Sequence, residues 1–504
     1  IEARGARIAA TVPVGTPAWL PARRPLFART VRLRTGEGAC VAELRALGRT
    51  SRSTIVGHDL SFAVQEAAAG ATYTDRGRAA LPERILADHG ANWVRLRLWV
   101  DPPAGYSDLP GVLAMARRAK AAGMRLLLDP HYSDFWVDPQ KQPIPRSWPH
   151  DLGALATTVH DYTRDALDAL AAQGTPAQML QLGNEIRNGI LWPTGQLDGS
   201  ADQWDRLGTL LRAAAAGARD AKGPTPRLVV HYDQGGDNAG SRWFFDNVVA
   251  QHVPFDVIGL SYYPFWHGTL SQLRANVDDL ARRYQRDISV VETQYGWTLD
   301  NGDQENNFLW TPDLLLPGYP ATPNGQLGFA SDLLSILAAV PDGRGLGVFY
   351  WQPEWIPGVG WQPGAGTPND NLTLFDFDGR ALPGVSFADP LRACARYAPA
   401  LAGACALGGC AAREHAAHGR ALDRDQRVRA GVAIDRPQQV GGQRRVRRRA
   451  HDQHRVVGAL EQHPAILAEV EAARGRPAAG EHVGACRREA LARLDRVRPA
   501  RLGA

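Results

Sequence analysis

The sequence predicts an α/β fold, a (β/α)8 barrel, and three observations predict it. Eight short apolar runs alternate with amphipathic stretches between residues 54 and 397. The runs are continuous rather than alternating in polarity, as in parallel strands covered on both faces. Polar and acidic residues gather at the C-terminal ends of the runs, the face that carries chemistry in such a barrel.

The runs, in order, are 55–60, 93–99, 124–129, 178–183, 226–232, 256–262, 288–293 and 345–351. Between them, stretches such as 111–122, 154–172 and 203–219 carry apolar residues at helical spacing. A doubly wound open sheet is the competing fold, but no glycine-rich phosphate fingerprint follows the first run. Run two ends in Arg95-Leu96-Arg97-Leu98-Trp99, and run three continues into Asp129-Pro130-His131-Tyr132-Ser133-Asp134-Phe135-Trp136. Run four ends in Gly183-Asn184-Glu185, and run six in Ser261-Tyr262-Tyr263. Run seven ends in Glu292-Thr293-Gln294, and run eight in Trp351-Gln352-Pro353-Glu354-Trp355.

Composition divides the chain of 504 residues into three parts. Residues 1–53 have no assigned function, 54–397 form the barrel, and 398–504 form an Arg/Ala-rich tail. The tail lacks Phe, Trp, Tyr, Lys, Met, Asn, Ser and Thr, and carries runs such as Arg447-Arg448-Arg449. Without aromatic residues it has little with which to offset chain entropy. Two readings fit: out-of-frame translation of GC-rich DNA, or a basic, partly disordered appendage. The overall net charge of +5 hides this division, because residues 51–397 carry −10. An acidic centre argues against a nucleic-acid groove. No apolar stretch reaches the roughly 18–20 residues of a membrane span, so no membrane partner is expected. The five cysteines, at 40, 394, 405, 410 and 486, leave residues 41–393 without a thiolate site or thiol nucleophile. No secretion signal is visible at Ile1, so one is expected to be absent or already removed.

Two carboxylates stand out. Glu185 and Glu292 each end an apolar run and lie 107 residues apart. That is three βα units, which sets them nearly across an eight-stranded ring. Such a pair suits cleavage of a glycosidic bond with retention: one carboxyl gives a proton, the other attacks. Asn184, just before Glu185, is placed to hydrogen-bond a sugar 2-hydroxyl. Thirteen of fourteen Trp fall between 93 and 361, and indole faces stack on sugar rings. Trp136, Trp297 and Trp351 are expected at the site, whereas Trp93 is expected to be buried. Arg95 and Arg97 share a strand face by period-two alternation, where an arginine can hold a nucleophile ionised, the alternative being a barrel-interior ion pair with no catalytic part. His131 and His231 are candidates for hydrogen bonding rather than metal ligation, and Asp134 is a candidate substrate contact. After run seven, oxygen side chains recur at Asn301, Asp303, Glu305 and Asn307. That alternation suits a hard cation such as Ca2+, with a solvated polar loop as the alternative.

With these residues in view, 57–387 resembles glycoside hydrolase family 53, the arabinogalactan endo-β-1,4-galactanases. The matching segments are GHDLSF (57–62), WVRLRLWVDP (93–102), LLLDPHYSDFWVDPQKQ (126–142), QLGNEIRNGILWP (181–193), SYYPFWHG (261–268), VVETQYGW (290–297) and VFYWQPEWIP (348–357). The resemblance implies a TIM barrel of glycosidase clan A, with the acid/base at Glu185 and the nucleophile at Glu292. It implies substrate contacts near Arg97, His131, Asn184, Tyr263 and Trp351, and no cofactor needed for catalysis. Some bacterial relatives bind structural calcium in the loop after strand seven, where this chain has Asn301 and Glu305 in place of the expected Asp and His. The resemblance further implies a secreted or periplasmic protein, expected to be monomeric, acting on galactan of plant cell walls. The alternatives are a clan-A endoglycanase acting on mannan or glucan, and a non-catalytic carbohydrate-binding barrel.

Overall fold

The computed structural model describes residues 55–389, with only four two-residue strands described outside them. The described stretch falls in one compact unit. The expectations for 1–53 and for the Arg/Ala-rich tail lie outside the described residues.

Eight parallel strands close into a barrel. They are β1 (Ile55–Asp59), β2 (Trp93–Leu98), β3 (Arg125–Pro130), β4 (Met179–Gln181), β5 (Arg227–Tyr232), β6 (Val257–Ser261), β7 (Asp287–Glu292) and β8 (Gly345–Tyr350). Each pairs with its neighbours in sequence, and β8 closes on β1 through Gly347↔Ile55 to Tyr350↔His58. All eight expected runs are strands. Only β4 is much shorter than its run. It ends at Gln181 because the chain turns at once, with Gly183 at φ 96° and Glu185 at φ 48°.

The strands are wrapped by α1 (Ala63–Ala68), α2 (Pro82–Asp88), α3 (Leu109–Ala121), α4 (Leu152–Ala172), α5 (Gln203–Asp220), α6 (Asn238–Ala250), α7 (Pro264–His267), α8 (Leu270–Tyr284) and α9 (Pro323–Ala338). Several helix starts are fixed by side chains. Asp108, Asp151 and Asp237 accept from the free amides of Gly111, Ala154 and Gly240. Thr269 and Gln272 form a reciprocal capping box on α8. Each cap is worth about 1 kcal/mol.

The barrel interior is graded from apolar to polar along the strands. Its lower layer takes one residue from each strand: Ile55, Trp93, Leu127, Met179, Val229, Val257, Val291 and Phe349. Each such side chain stabilises by about 1.5–3 kcal/mol on burial. Two residues further on, the same inward faces present Arg95, Asp129, Gln181 and His231. The apolar plug thus supports a polar floor at the C-terminal mouth. Glu292 reaches that mouth through a register shift. Leu260 pairs with Val290, yet Ser261 pairs with Glu292, so β7 carries one extra residue at Val291. With Val291 turned into the core, plain alternation would turn Glu292 outward; an inserted residue re-aims the next side chain. No helix among the described residues is long and apolar enough to cross a membrane.

Candidate active site

One buried guanidinium organises the polar floor. Arg95 is 1% exposed and donates five hydrogen bonds to side chains. Its Nε donates to Gln181 Oε1 at 2.8 Å, and Nη1 donates to Asp59 Oδ2 at 2.6 Å. Its Nη2 donates to Asp129 Oδ2 at 2.7 Å, Asn184 Oδ1 at 2.9 Å and Glu292 Oε1 at 2.7 Å. Burial opposes its charge, but Asp129, Glu292 and Asp59 outweigh that and hold the group protonated. In return, burial pushes Asp129 up while Arg95 and His131 draw it down to about 2.

The two glutamates sit in different surroundings. Glu292 accepts from Arg95 on Oε1 and from the Tyr263 hydroxyl on Oε2 at 3.0 Å. Burial raises its carboxyl to about 7 against the pull of Arg95, with the charges of Asp129 and Asp59 adding to the rise and the Tyr263 hydrogen bond opposing it. Glu185 has no cation in contact. Burial, then the charges of Glu292 and Asp233, hold it well above the usual carboxylate range, with only the Ser261 hydroxyl opposing. Between the two groups, the proton therefore resides on Glu185. Tyr263 is also held well above its ordinary value, first by burial and then by Glu292, so it remains a hydrogen-bond donor.

Asn184 is clamped at both ends. Its Oδ1 accepts from Arg95, and its Nδ2 donates to the Val137 carbonyl at 3.2 Å. Beside the glutamates rises an aromatic wall of Phe62, Trp99, Tyr106 and Trp355, faced by the partly exposed Trp136, Trp351 and Trp361. Trp136 and Trp351 lie 6.1 Å apart between centroids, and Trp136 Nε1 donates to the Trp361 carbonyl at 2.7 Å.

Several expected contacts are placed differently. Arg97 is 1% exposed beneath the wall rather than in the cleft. Its guanidinium lies 4.1 Å from the Trp136 ring centroid, 4.4 Å from Trp99 and 4.8 Å from Phe62. Arg95, not Arg97, touches Glu292. His131 has both nitrogens engaged: Nδ1 accepts from Trp99 Nε1 at 2.9 Å and Nε2 faces Asp129 Oδ2 at 3.1 Å. His231 is 0% exposed with both nitrogens engaged, which leaves no edge for a sugar. Asp134 accepts from the Arg146 amide at 2.9 Å and so anchors the loop after β3. Trp297 packs 4.8 Å from Phe377, beside the 301–307 loop. Asp59, Gln181 and Ser261 belong to the site without having been singled out; the signal was their place, two or four residues beyond a plug residue on one strand face.

Among the described residues, no group of three or more His, Cys, Asp or Glu is placed to hold a metal. In the 301–307 loop, Asn301 Oδ1 accepts from the Asp303 amide, and Asp303 Oδ1 from the Glu305 amide at 2.7 Å. Asp303 Oδ2 accepts from Thr367 and Asp370 Oδ2 from Gly302, both at 2.8 Å. Asn307 Oδ1 and Asp370 Oδ1 are buried without a partner. A cation there would therefore be held by amide and carboxylate oxygens together.

The family model for glycosyl hydrolase family 53 matches residues 55–388. The arabinogalactan endo-beta-1,4-galactanase of Cellvibrio japonicus is 40% identical over 332 residues, covering 64% of this chain and 86% of that protein. The enzyme of the same name from Thermothelomyces thermophilus is 36% identical over 341 residues, covering 66% and 98%. The solved GH53 catalytic domain of Ignisphaera aggregans superposes with a TM-score of 0.65 at 37% identity, covering 69% of this chain and 99% of that one.

Replacing Arg95 with Met leaves Asp59, Asp129 and Glu292 buried without their cation, a loss of about 3–5 kcal/mol. With the cation gone, burial holds Asp129 and Glu292 above their unfolded-state pKa values. The added instability is therefore absent below the unfolded carboxylate range and grows as pH rises through it. Denaturant unfolding of Arg95→Met and the parent chain at acid and neutral pH is expected to show the larger deficit at neutral pH.

Proposed function

The chain belongs to glycosyl hydrolase family 53 and is a glycoside hydrolase; on that premise we propose that it is a retaining endo-β-1,4-galactanase acting on the galactan of arabinogalactan. The observation that carries this reading is the unequal pair: Glu185 held protonated without a cation, Glu292 held by Arg95 and Tyr263. Environments that push two carboxyl pKa values apart assign acid and base. The names of the Cellvibrio japonicus and Thermothelomyces thermophilus relatives support galactan as the polymer.

In the first step Glu185 gives its proton to the glycosidic oxygen as that bond breaks, and Glu292 attacks the anomeric carbon from the opposite face. Arg95 and Tyr263 hold the attacking carboxylate in place. In the second step Glu185 takes a proton from water, the water oxygen bonds to the anomeric carbon, and Glu292 leaves. Two displacements restore the β configuration. The remaining Asn184 amide hydrogen serves the 2-hydroxyl, and Trp136 and Trp351 offer faces for stacking. Trp266, 52% exposed and 5.3 Å from Phe308, extends the aromatic surface along the loops after β6 and β7. Hydrolysis uses only the two carboxyls and water, so no cofactor takes part. One barrel supplies every group named, which suits a monomer. A polymeric substrate places the work outside the cytoplasm, in a secreted or periplasmic setting.

The 301–307 loop fits a structural Ca2+. Its orphaned Asn307 and Asp370 oxygens lie beside Asp303, and burial raises Asp370 to about 6. Such a donor set, with Asn301 and Glu305 completing the loop, is the mixture of carboxylate and carbonyl oxygens that calcium takes. Ca2+ at about 100 times its Kd then stabilises the fold by about 2.7 kcal/mol. Melting with Ca2+ and with a chelator checks this: the parent chain melts higher with Ca2+, Asp303→Ala does not respond, and a parent that is indifferent to Ca2+ contradicts the site.

Glu185→Ala and Glu292→Ala are each expected to lower galactan hydrolysis by about 10³-fold or more with the fold intact. A reducing-sugar assay on galactan, mannan, xylan and cellulose reads both this loss and the polymer preference. Near-normal activity in either variant would sink the assignment, and parent activity confined to mannan or cellulose would replace galactan.

A further inference from the structure

We propose that Ser261 and His231 form a positioning relay that fixes the transferable proton of Glu185 on Oε2. The inference rests on Glu185 being the acid/base and adds which of its oxygens does the work. Its basis is a directional chain of hydrogen bonds that begins and ends on the same residue.

Glu185 has φ 48°, a left-handed conformation that a non-glycine residue keeps only where its surroundings enforce it. Here its amide N–H donates to His231 Nδ1 at 3.2 Å. Gln181 Nε2 lies 3.1 Å from the same nitrogen. That amide group also donates to Asp129 Oδ1 at 2.7 Å, while Gln181 Oε1 accepts from Arg95, so the orientation of the Gln181 amide is set. Two N–H donors meet at Nδ1, which must therefore be the unprotonated nitrogen. The ring hydrogen sits on Nε2 and donates to Ser261 Oγ at 2.9 Å. The single hydroxyl hydrogen of Ser261 then points to Glu185 Oε1 at 2.6 Å.

The chain allows one direction only. With a hydrogen on Glu185 Oε1, Ser261 Oγ would accept from both sides and its own hydrogen, fully buried, would lose its acceptor, so the carboxyl keeps its proton on Oε2. In the first step that proton passes to the leaving oxygen, and in the second Oε2 takes one from water. His231 and Ser261 keep their own hydrogens throughout, so they position the group and exchange nothing with substrate.

The charged groups around the relay are consistent with this direction. His231 stays neutral because burial lowers it, with Arg95, His131 and His267 acting the same way and Asp129 opposing. Glu185 is faced by Glu292, Asp233 and Asp138, all of which raise it, and by Ser261, which lowers it. Ser261 and His231 are both fully buried, so water does not substitute for either partner.

The test is Ser261→Ala, measured as kcat/KM against pH on galactan and on a dinitrophenyl β-galactobioside. The activated leaving group departs without protonation, so it reports positioning of everything except the acid. Losing the relay is expected to cost galactan about tenfold more than the activated substrate, a fraction of what general acid catalysis supplies. The alkaline limb on galactan is expected to move to higher pH, because Glu185 loses the donor that favours its ionised form. Equal losses on both substrates with the alkaline limb unmoved would overturn the relay. Glu185→Ala is the control: if it treats the two substrates alike, the acid/base reading itself fails, and the relay is not what failed.

Discussion

The guanidinium of Arg95 is the constraint on which the rest of the site depends. A cation at the centre of a barrel is costly unless carboxylates surround it, and a cluster of carboxylates is costly unless a cation joins them. Arg95 meets both demands by reaching Asp59 on β1, Asp129 on β3 and Glu292 on β7 from β2. It also reaches Gln181 and Asn184, so it ties the strand that leads to Glu185 to the same centre. The position of Glu292 follows directly from this side chain, and Glu185 is the residue after its partner Asn184.

That arrangement creates the asymmetry the chemistry needs. The two glutamates share a buried mouth, and each raises the cost of ionising the other. The cation touches only Glu292, so the proton goes to Glu185. Aromatic residues complete the division of labour: Arg97, lying under Trp136, Trp99 and Phe62, supports the wall from behind and leaves the cleft to the rings.

Much of this was legible in the sequence because the inward faces obey period two. Trp93-x-Arg95 and Leu127-x-Asp129 each read as a plug residue followed by a floor residue, and all eight strands follow from their apolar runs. Alternation alone could not place Glu292, because the extra residue at Val291 shifts the register of β7 and is a tertiary event. Nor could it separate Arg95 from Arg97, which share a face; only the depth of each in the barrel decides which meets Glu292. His131 and His231 sit at strand ends as expected, but their nitrogens are taken by neighbours distant in sequence. The expectations for the two chain ends lie outside the described residues.

The central claim is that one glutamate attacks while the other carries the proton. The stereochemistry of the first product tests it most directly. Proton NMR of galacto-oligosaccharide hydrolysis, followed before mutarotation, is expected to show the β anomer first and the α anomer only later. An α anomer appearing first would mean direct attack by water, and the assignment of Glu292 as nucleophile would be contradicted.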